Sequence, residues 1–261
     1  MDLIDELASE HGAIVIEDAA QGAGAALGDR PLGCRGSLGV LSFGRGKGVT
    51  GGAGGGLIAN DEMGREVLAE VADQPGPPRR GLHELTIAMV QWALSRPSLY
   101  ALPQSLPFLQ LGETLYRSPE PVRELARAAA AILGKTWELS EAEADIRRTH
   151  GERLLARLNQ VSAVRTIRSP VGSRPGHLRL PVTLSDSARA KVDGARRLGV
   201  MPGYPKPLSE LAALAPLSPD VGSKFQAASA LADRLATLPT HGQLREADLG
   251  ALERWISSLD R

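Results

Sequence analysis

The sequence has little of what several large functional classes need. Its 261 residues include one cysteine, Cys34, and five histidines, so an internal disulfide is excluded and no metal-ligand spacing is present. Aromatic residues make up only 3% of the chain, which argues against a surface that stacks nucleic-acid bases. Because 30 basic and 30 acidic residues balance, no overall charge attracts nucleic acid or an anionic membrane. We therefore expect no metal site and no nucleic-acid partner.

Long apolar runs are also missing from the sequence. None approaches the length that spans a bilayer, and residues 1–6 are acidic rather than basic, unlike the start of a secretory signal peptide. Hydrophobic residues make up 43% of the chain, which is enough for one or two packed domains. We therefore expect a globular cytoplasmic protein without a transmembrane segment.

Glycine, in contrast, is concentrated in one stretch. Of the 29 glycines, 14 lie between Gly22 and Gly56. Glycine permits positive φ and a close approach of the backbone to a ligand. Two phosphate-binding motifs fail here. A P-loop needs Ser or Thr directly after its Gly-Lys pair, but Lys47 is followed by Gly48, and a dinucleotide fingerprint that begins at Gly22 needs glycine at Leu27.

Short apolar runs in the same stretch predict strands of a parallel sheet. Residues 13–16 lack polar alternation, as expected of a strand buried on both faces, and residues 40–43 and 56–59 form two further runs. Open α/β sheets bind their ligands at the carboxyl ends of the strands. Asp18 follows the first run, while Ser42 and Lys47 lie at the end of the second run and just beyond it. We therefore predict that an acid, a hydroxyl and a lysine converge at this edge.

These three side chains suit pyridoxal phosphate (PLP). The cofactor needs a lysine for covalent attachment, an acid that keeps its pyridine nitrogen protonated, and donors for its phosphate. Taken singly, Asp18 is typical of a helix cap or turn, and Lys47 of a solvated loop. The combination of matched positions in order favours the cofactor interpretation over these separate ones.

Two motifs of the stretch resemble those of a known family. Glu17-Asp18-Ala19-Ala20-Gln21 follows an apolar run, and Ser42-Phe43-Gly44-Arg45-Gly46-Lys47 precedes a glycine-rich tail. This order is similar to the signature of the DegT–StrS family of nucleotide-sugar aminotransferases, a fold-type-I PLP-dependent group. The resemblance implies that Asp18 binds the pyridinium nitrogen and Gln21 the phenolic oxygen of the ring. It implies that Ser42 contacts the phosphate, and that Lys47 attaches to the cofactor and later moves a proton.

The resemblance also implies the fold class and the domain organisation. We expect the α/β fold of fold-type-I PLP transferases, with part of a large domain built on a mostly parallel sheet and a small α+β C-terminal domain. Residues 1–77 are predicted to be the C-terminal part of the large domain, 78–118 a helical insertion, and 119–261 the small domain. The Pro- and Gly-rich residues 74–80 mark the first boundary. Strands that precede this point in the family, which supply phosphate donors and a stacking aromatic, have no counterpart, so we expect a chain that lacks the N-terminal part.

Periodicity and turn residues predict the remaining elements. Helices are expected over residues 2–10, 61–72, 121–158, 187–198, 224–235 and 246–259. Asn60 or Asp61 is expected to cap the second of these, Gly134 and the neighbourhood of Trp137 to divide the third, and Gly199 to end the fourth. The charges of residues 121–158 are expected to form a solvated face. Strands are expected over 164–168 and 178–184, the second at a sheet edge because of Pro181. Residues 22–39 read as a loop, with turn signals at Gly28-Asp29 and Arg30-Pro31. Residues 82–116 read as a helical hairpin that adds a packing layer, or alternatively contacts a dimer partner, another protein or a membrane surface.

A weaker similarity to the same family lies in the C-terminal half. Tyr204-Pro205-Lys206-Pro207-Leu208 is similar to a family motif near the sugar substrate, with Ser209 where the family has histidine. The resemblance implies that Tyr204 contacts the substrate. Ala53 stands where the family commonly has an acid. Both departures leave the identity of the sugar open.

The sequence therefore predicts a PLP-dependent aminotransferase. It would move an amino group from an amino-acid donor to a keto group of a nucleotide-linked sugar, in polysaccharide or secondary-metabolite sugar biosynthesis. The resemblance implies a homodimer. Two alternatives stay open: a catalytically silent or truncated fragment of the family, and a PLP-dependent sugar dehydratase. The dehydratase branch replaces the lysine with histidine, so the presence of Lys47 argues against it.

Overall fold

Two compact units make up the chain. The computed structural model describes residues 2–44, 46–72, 76, 85, 86, 89, 122–211, 214 and 225–260. Unit 1 comprises Met1–Arg96, Glu120–Arg148 and Ser169–Leu178, and unit 2 comprises Pro97–Pro119, Thr149–Arg168 and Arg179–Arg261. The predicted domain bounds 1–77, 78–118 and 119–261 stay a prediction.

The described chain contains both helices and strands. The α-helices are α1 Asp2–His11, α2 Glu62–Ala72, α3 Arg127–Glu138, α4 Ser140–Leu158, α5 Asp186–Arg189, α6 Gln226–Arg234 and α7 Glu246–Ser257. The strands are β1 Ile16–Asp18, β2 Ala26–Leu27, β3 Arg30–Pro31, β4 Leu38–Ser42, β5 Gly55–Ala59, β6 Val164–Thr166, β7 Ser173–Arg174, β8 Arg179–Leu184, β9 Met201–Pro202 and β10 Leu235–Pro239. Two 3-10 helices span Asp193–Leu198 and Leu208–Glu210.

The main sheet of unit 1 has the order β1-β4-β5. β1 pairs with β4 in parallel, whereas β4 pairs with β5 antiparallel, so the described sheet is mixed rather than mostly parallel. The prediction that the first strand is buried on both faces is wrong here, since Ile14 is 41% exposed and Ile16 is 60% exposed. Within the described chain β1 pairs only with β4. An apolar run shows that a strand suits burial, but it does not reveal what covers that strand.

A second sheet of unit 1 contains two strands from the predicted loop of residues 22–39, β2 and β3, and one strand from outside it, β7. β2 and β3 form a hairpin around Gly28 and Asp29, and β2 also pairs with β7. The turn signal at this pair is confirmed, and Gly28 has a φ of 61° that favours glycine. The strands themselves were missed, because a two-residue strand is too short for an alternating pattern.

Unit 2 contains an antiparallel sheet with the order β6-β8-β10-β9. Every second residue of β8 (Leu180, Val182 and Leu184) is buried, as expected of a half-buried strand. These side chains belong to one core cluster together with residues of α4, α7 and β10 (Leu154, Leu158, Ala236, Leu238, Leu252 and Ile256). Burial of each large side chain contributes about 1.5–3 kcal/mol, so this cluster is the main source of stability in unit 2.

Pro181 lies inside the sheet of unit 2 and not at its edge, which corrects the prediction. β8 pairs with β10 on one side and with β6 on the other. The pairing with β6 ends at Thr166, opposite Val182, whereas Pro181 pairs with Thr237 of β10. Position 181 therefore has a strand partner on one side only, and a proline can occupy it in an otherwise central strand.

Most predicted helices are confirmed in type and approximate bounds. The N-cap role of Asp61 at α2 is confirmed, since its Oδ1 accepts a hydrogen bond from the Gly64 amide at 2.7 Å. The region 121–158 is divided at Leu139, in the predicted neighbourhood of Trp137. The helix predicted over 187–198 is instead α5 followed by a 3-10 helix, which ends at Gly199 as expected, with a φ of 79°. The linker at 74–80 and the hairpin at 82–116 lie almost entirely outside the described residues. Among the residues that are described, no helix is long and apolar enough to cross a membrane.

Candidate cofactor site

Asp18 and Ser42 lie at the carboxyl ends of two neighbouring parallel strands. Asp18 is the last residue of β1 and is in register with Val40, while Ser42 ends β4 two residues further along. The Ala19 amide donates to the Val40 carbonyl at 2.9 Å, which extends the ladder by one residue. With a strand spacing of ~4.8 Å and a rise of ~3.3 Å per residue, the Cα atoms of Asp18 and Ser42 are about 8 Å apart. The fold therefore brings the predicted acid and hydroxyl to one edge of the sheet.

A tight turn follows Asp18. Its Oδ1 accepts a hydrogen bond from the Ala20 amide at 2.9 Å, so Asp18 also has the turn role typical of aspartate. The Gly22 amide donates to the Ala19 carbonyl at 2.8 Å, and Gln21 lies exposed in this turn. Asp18 and Gln21 thus occupy one short segment at the sheet edge.

Lys47 lies in the loop of residues 44–54 that connects β4 to β5. The loop is closed at its base by Phe43, whose amide donates to the Gly54 carbonyl at 2.9 Å and whose carbonyl accepts from the Gly51 amide at 3.0 Å. The hydroxyl of Thr50 donates to the same carbonyl at 3.1 Å. Because Phe43 is 8% exposed, its ring anchors the loop in the interior of unit 1.

The functional atoms of the four predicted residues are available to a ligand. Among the described residues, four groups have no hydrogen-bond or ion-pair partner: Lys47 Nζ, Ser42 Oγ, the side-chain amide of Gln21 and Asp18 Oδ2. Lys47 and Ser42 are half-buried, and Asp18 and Gln21 are exposed. In contrast, Lys191 donates to the Ser258 carbonyl at 2.7 Å. A lysine amine, a hydroxyl and one carboxylate oxygen without a partner in the described chain fit the set of groups that PLP requires.

Tyr204, the predicted substrate residue, lies in unit 2. It follows β9 and precedes the 3-10 helix Leu208–Glu210, and it is 57% exposed. The other four predicted residues belong to unit 1. The role of Tyr204 stays a prediction.

A small cavity lies at the end of the Lys47 loop. Its volume is about 150 Å³, and it is lined by Ala53, Gly54, Gly55, Arg123, Glu124, Leu125 and Ala126. This volume is below the several hundred Å³ of typical ligand pockets. None of the four predicted residues lines it, so the candidate site is an open strand edge and not this cavity. Within the described chain, no group of three or more His, Cys, Asp or Glu residues could hold a metal ion.

Sequence reasoning missed the arginines that hold this region together. Arg147 and Arg148 of α4 donate to the carbonyls of Ala23 and Gly24, at 3.3 Å and 2.9 Å. The charges of this helix were expected to form a solvated face, but Arg147 is only 3% exposed. Burial lowers the pKa of the Arg147 guanidinium, and the charge of Glu143 opposes that shift. No local pattern distinguishes a buried arginine from its neighbours in a charge-rich helix.

The segment that carries these residues matches a family model. Residues 1–80 match the DegT/DnrJ/EryC1/StrS aminotransferase family. Over that stretch the chain is similar to members of this family. All four predicted cofactor residues lie within it, and the resemblance inferred from the two motifs is confirmed.

Solved aminotransferases share the fold of the chain. A family member from Brucella abortus is 23% identical, with a TM-score of 0.69 over 98% of this chain and 60% of that one. DesV of S. venezuelae is 21% identical, with a TM-score of 0.69 over 100% of this chain and 62% of that one. Spr1654 from Streptococcus pneumoniae, determined in its PLP form, is 14% identical, with a TM-score of 0.67 over 95% and 58%.

The chain spans about 60% of the length of the solved structures that it matches. A comparison with curated proteins found no match. At these identities the similarities show the mixed α/β fold that the chain shares with these aminotransferases.

Proposed function

We propose that the chain forms a PLP-dependent aminotransferase that acts on a nucleotide-linked keto sugar, in polysaccharide or secondary-metabolite sugar biosynthesis. One observation carries this proposal: Lys47 Nζ has no partner among the described residues. Its loop follows β4, which ends at Ser42 beside the end of β1 at Asp18. The match of residues 1–80 to the DegT/DnrJ/EryC1/StrS family supports it, because that family is PLP-dependent. Similar folds include DesI, solved with its TDP-sugar product, and the sugar aminotransferase CalS13 from Micromonospora echinospora.

Each residue has a distinct role in the proposed site. PLP, when bound, supplies a carbonyl carbon and a ring that accepts electrons. The carboxylate of Asp18 would keep the pyridine nitrogen protonated, and Gln21 would bind the phenolic oxygen. The hydroxyl of Ser42 would bind the phosphate. Lys47 would hold the cofactor through Nζ and carry the proton between the donor carbon and the cofactor.

The substrates and the assembly follow from the same proposal. An amino-acid donor such as glutamate would supply the nitrogen, and Tyr204 would contact the sugar. We propose a homodimer as the assembly. Its presence is testable by sedimentation of the chain with and without PLP.

Trapping of the cofactor on its lysine tests the proposal. The chain is incubated with PLP, reduced with borohydride, digested and analysed by mass spectrometry. We expect a pyridoxyl group on the peptide that contains Lys47, and its loss in Lys47→Arg, which keeps the charge but not the reactive amine. Lys135→Arg is the matched control, because Lys135 is exposed and pairs with Glu138 at 3.0 Å. Specific labelling at another lysine, with Lys47 unmodified, would overturn the assignment.

A catalytically silent member of the family is the second candidate. It is favoured by the exposed first strand, since Ile16 is 60% exposed. Spectroscopy after addition of glutamate distinguishes the two. Conversion of bound PLP to its amine form supports the transaminase, whereas PLP that stays unchanged supports the silent protein. A dehydratase is the third candidate, and Lys47 argues against it.

A further inference from the structure

We propose that Arg147 is a positioning residue of the cofactor site. Its buried guanidinium would hold the turn after Gln21 and the loop that carries Lys47 in a single arrangement. The inference rests on the proposed function, because it assigns to Arg147 the support of groups that bind PLP.

The contacts of Arg147 join two segments that are distant in the chain. Its Nε donates to the Gly176 carbonyl at 2.9 Å, and its Nη2 donates to the Ala23 carbonyl at 3.3 Å. The nearest acid, Glu143, lies 4.0 Å from Nη1. A buried charge is costly without hydrogen-bond partners, and here backbone carbonyls of two segments each accept a hydrogen bond from the guanidinium. Arg147 therefore fixes backbone positions and is not part of a close ion pair.

Gly48 brings the Lys47 loop against the same group. A methyl group built on Gly48 would lie 2.6 Å from the Cβ atom of Ala23 and 3.0 Å from Nη2 of Arg147. Gly48 directly follows Lys47, and Ala23 lies two residues after Gln21. The segments that carry the two predicted residues thus touch each other and the guanidinium at one point. Only glycine permits so close an approach of the backbone.

Two neighbours of Arg147 on α4 reinforce this arrangement. Arg148 Nη1 donates to the Gly24 carbonyl at 2.9 Å. The side chain of Ala144, which is fully buried, occupies the space that a Cβ of Gly24 would need, and Gly24 has a φ of 74°. Helix α4 therefore contacts the turn at successive positions. A regular helix is a rigid support, and a site is precise only when such a support fixes its binding groups.

The arrangement has a functional consequence. Loss of the guanidinium would free the Ala23 and Gly176 carbonyls and open space between the turn and the Lys47 loop. Displacements of about 1 Å are enough to reduce enzyme rates ~100-fold. We expect weaker PLP binding from displacement of Gln21 and Lys47, although Arg147 itself does not contact the cofactor.

Two variants test the proposal, each with a matched control. Arg147→Met removes the guanidinium, and Gly48→Ala pushes the loop away from Ala23 while it keeps the buried charge. Arg157→Met changes an exposed arginine of the same helix that contacts Ser257 and Gln160. Gly134→Ala adds a methyl group where no heavy atom lies within 4 Å. Gly48→Ala alone carries the test if Arg147→Met does not fold.

Two readouts are compared well below the unfolding temperature of each variant. Hydrogen exchange of the cofactor-free chain measures the order of residues 21–25 and 46–52, and absorbance titration measures PLP affinity. We expect both test variants to exchange faster in both segments and to bind PLP at least tenfold more weakly, whereas both controls stay like the wild type. A merely structural role would speed exchange throughout unit 1 and leave PLP affinity unchanged.

The outcomes separate this inference from the proposed function. A wild-type chain that binds no PLP overturns the proposed function and with it the role of Arg147 towards the cofactor. A wild-type chain that binds PLP, with affinity unchanged in Gly48→Ala, overturns only the role of Arg147. Faster exchange in one of the two segments but not the other would also overturn it, because the proposed contact couples both.

Discussion

Thr136 and Thr50 form a reciprocal pair of hydrogen bonds. The Thr136 hydroxyl donates to the Thr50 carbonyl at 2.7 Å and accepts a hydrogen bond from the Thr50 amide at 3.3 Å. Thr50 lies three residues after Lys47, and Thr136 belongs to α3. One hydroxyl therefore satisfies both backbone groups of a loop residue, and the loop of residues 44–54 is held on this side by a helix.

Replacement of Thr136 by valine tests this pair. Valine has almost the same shape but leaves the partly buried amide and carbonyl of Thr50 without their partner. We expect a loss of about 1–3 kcal/mol in the free energy of unfolding, measured by urea denaturation. Thr136→Ser keeps the hydroxyl and should lose much less. Equal losses in the two variants would show that the hydroxyl contributes nothing.

Asp18→Asn tests the proposed ion pair with the cofactor ring. The amide oxygen of asparagine can still accept the hydrogen bond from Ala20, so the fold should be retained. Loss of the negative charge beside the ring should slow transamination on the order of 100-fold, with less effect on PLP affinity. Asp29→Asn, in the exposed turn between β2 and β3, is the control. Wild-type turnover in Asp18→Asn would contradict the proposed role.

The acid sensitivity of unit 2 tests the ion pairs of Arg153. Hydrogen bonds from Arg153, at 2.8 Å and 2.7 Å, lower the pKa of Glu253 and the pKa of Glu246. Their folded pKa values lie below the unfolded value of about 4.3, so this stabilisation is complete above that pH. It is lost as the pH falls through the folded values.

We therefore expect the stability difference between the wild type and Arg153→Met to shrink as the pH is lowered from 6 towards 2. Thermal unfolding measured across this range gives the difference directly. Arg254→Met, at an exposed position of α7, should show no such trend. A gap between wild type and Arg153→Met that stays constant with pH would contradict the assignment of these ion pairs.

The exposed edge of β1 leads us to expect self-association of the chain. Ile16 is 60% exposed on β1, which is paired on one side only within the described chain. Exposed apolar strand edges promote association with other chains. We expect Ile16→Lys to reduce the association measured by sedimentation velocity, whereas Val171→Lys, at a fully exposed turn position outside β1, should not. A wild-type chain that stays monomeric at high concentration would contradict this expectation.

The elements that sequence reasoning identified are those with strong local signals. The apolar spacing of α1, the acid before α2 and the glycine after residues 193–198 each act within one or two turns of chain. The short strands β2, β3, β7 and β9 carry no comparable pattern and were missed. β10 was missed as well, because its five residues directly follow α6 and continue the same apolar character. β7, β9 and β10 depend on pairing with strands that are distant in the sequence, whereas β2 and β3 form a local hairpin of two residues on each side.

The candidate site also has one part that the sequence predicts and another that only the sheet decides. The order of Asp18, Gln21, Ser42 and Lys47 is a property of the sequence, and it was sufficient to indicate the family and the cofactor. The register of β1 on β4, which brings Asp18 and Ser42 to one edge, is a property of the sheet. Asp18 and Ser42 lie at strand ends as predicted, because the end of a strand is a local signal in the sequence. The distance between two strand ends is not a local signal.

The sequence by itself determined the cofactor motifs, the helix bounds and the strongly apolar strands, because spacing, capping and turn chemistry act between near neighbours. Only the tertiary structure decided that Arg147 is buried, that Pro181 lies within a sheet and that Ile16 is exposed. Arg147 depends on the Ala23 carbonyl, 124 residues away in the chain. Burial is set by contacts between segments that are distant in sequence, and the free energy of such contacts has no counterpart in any local pattern.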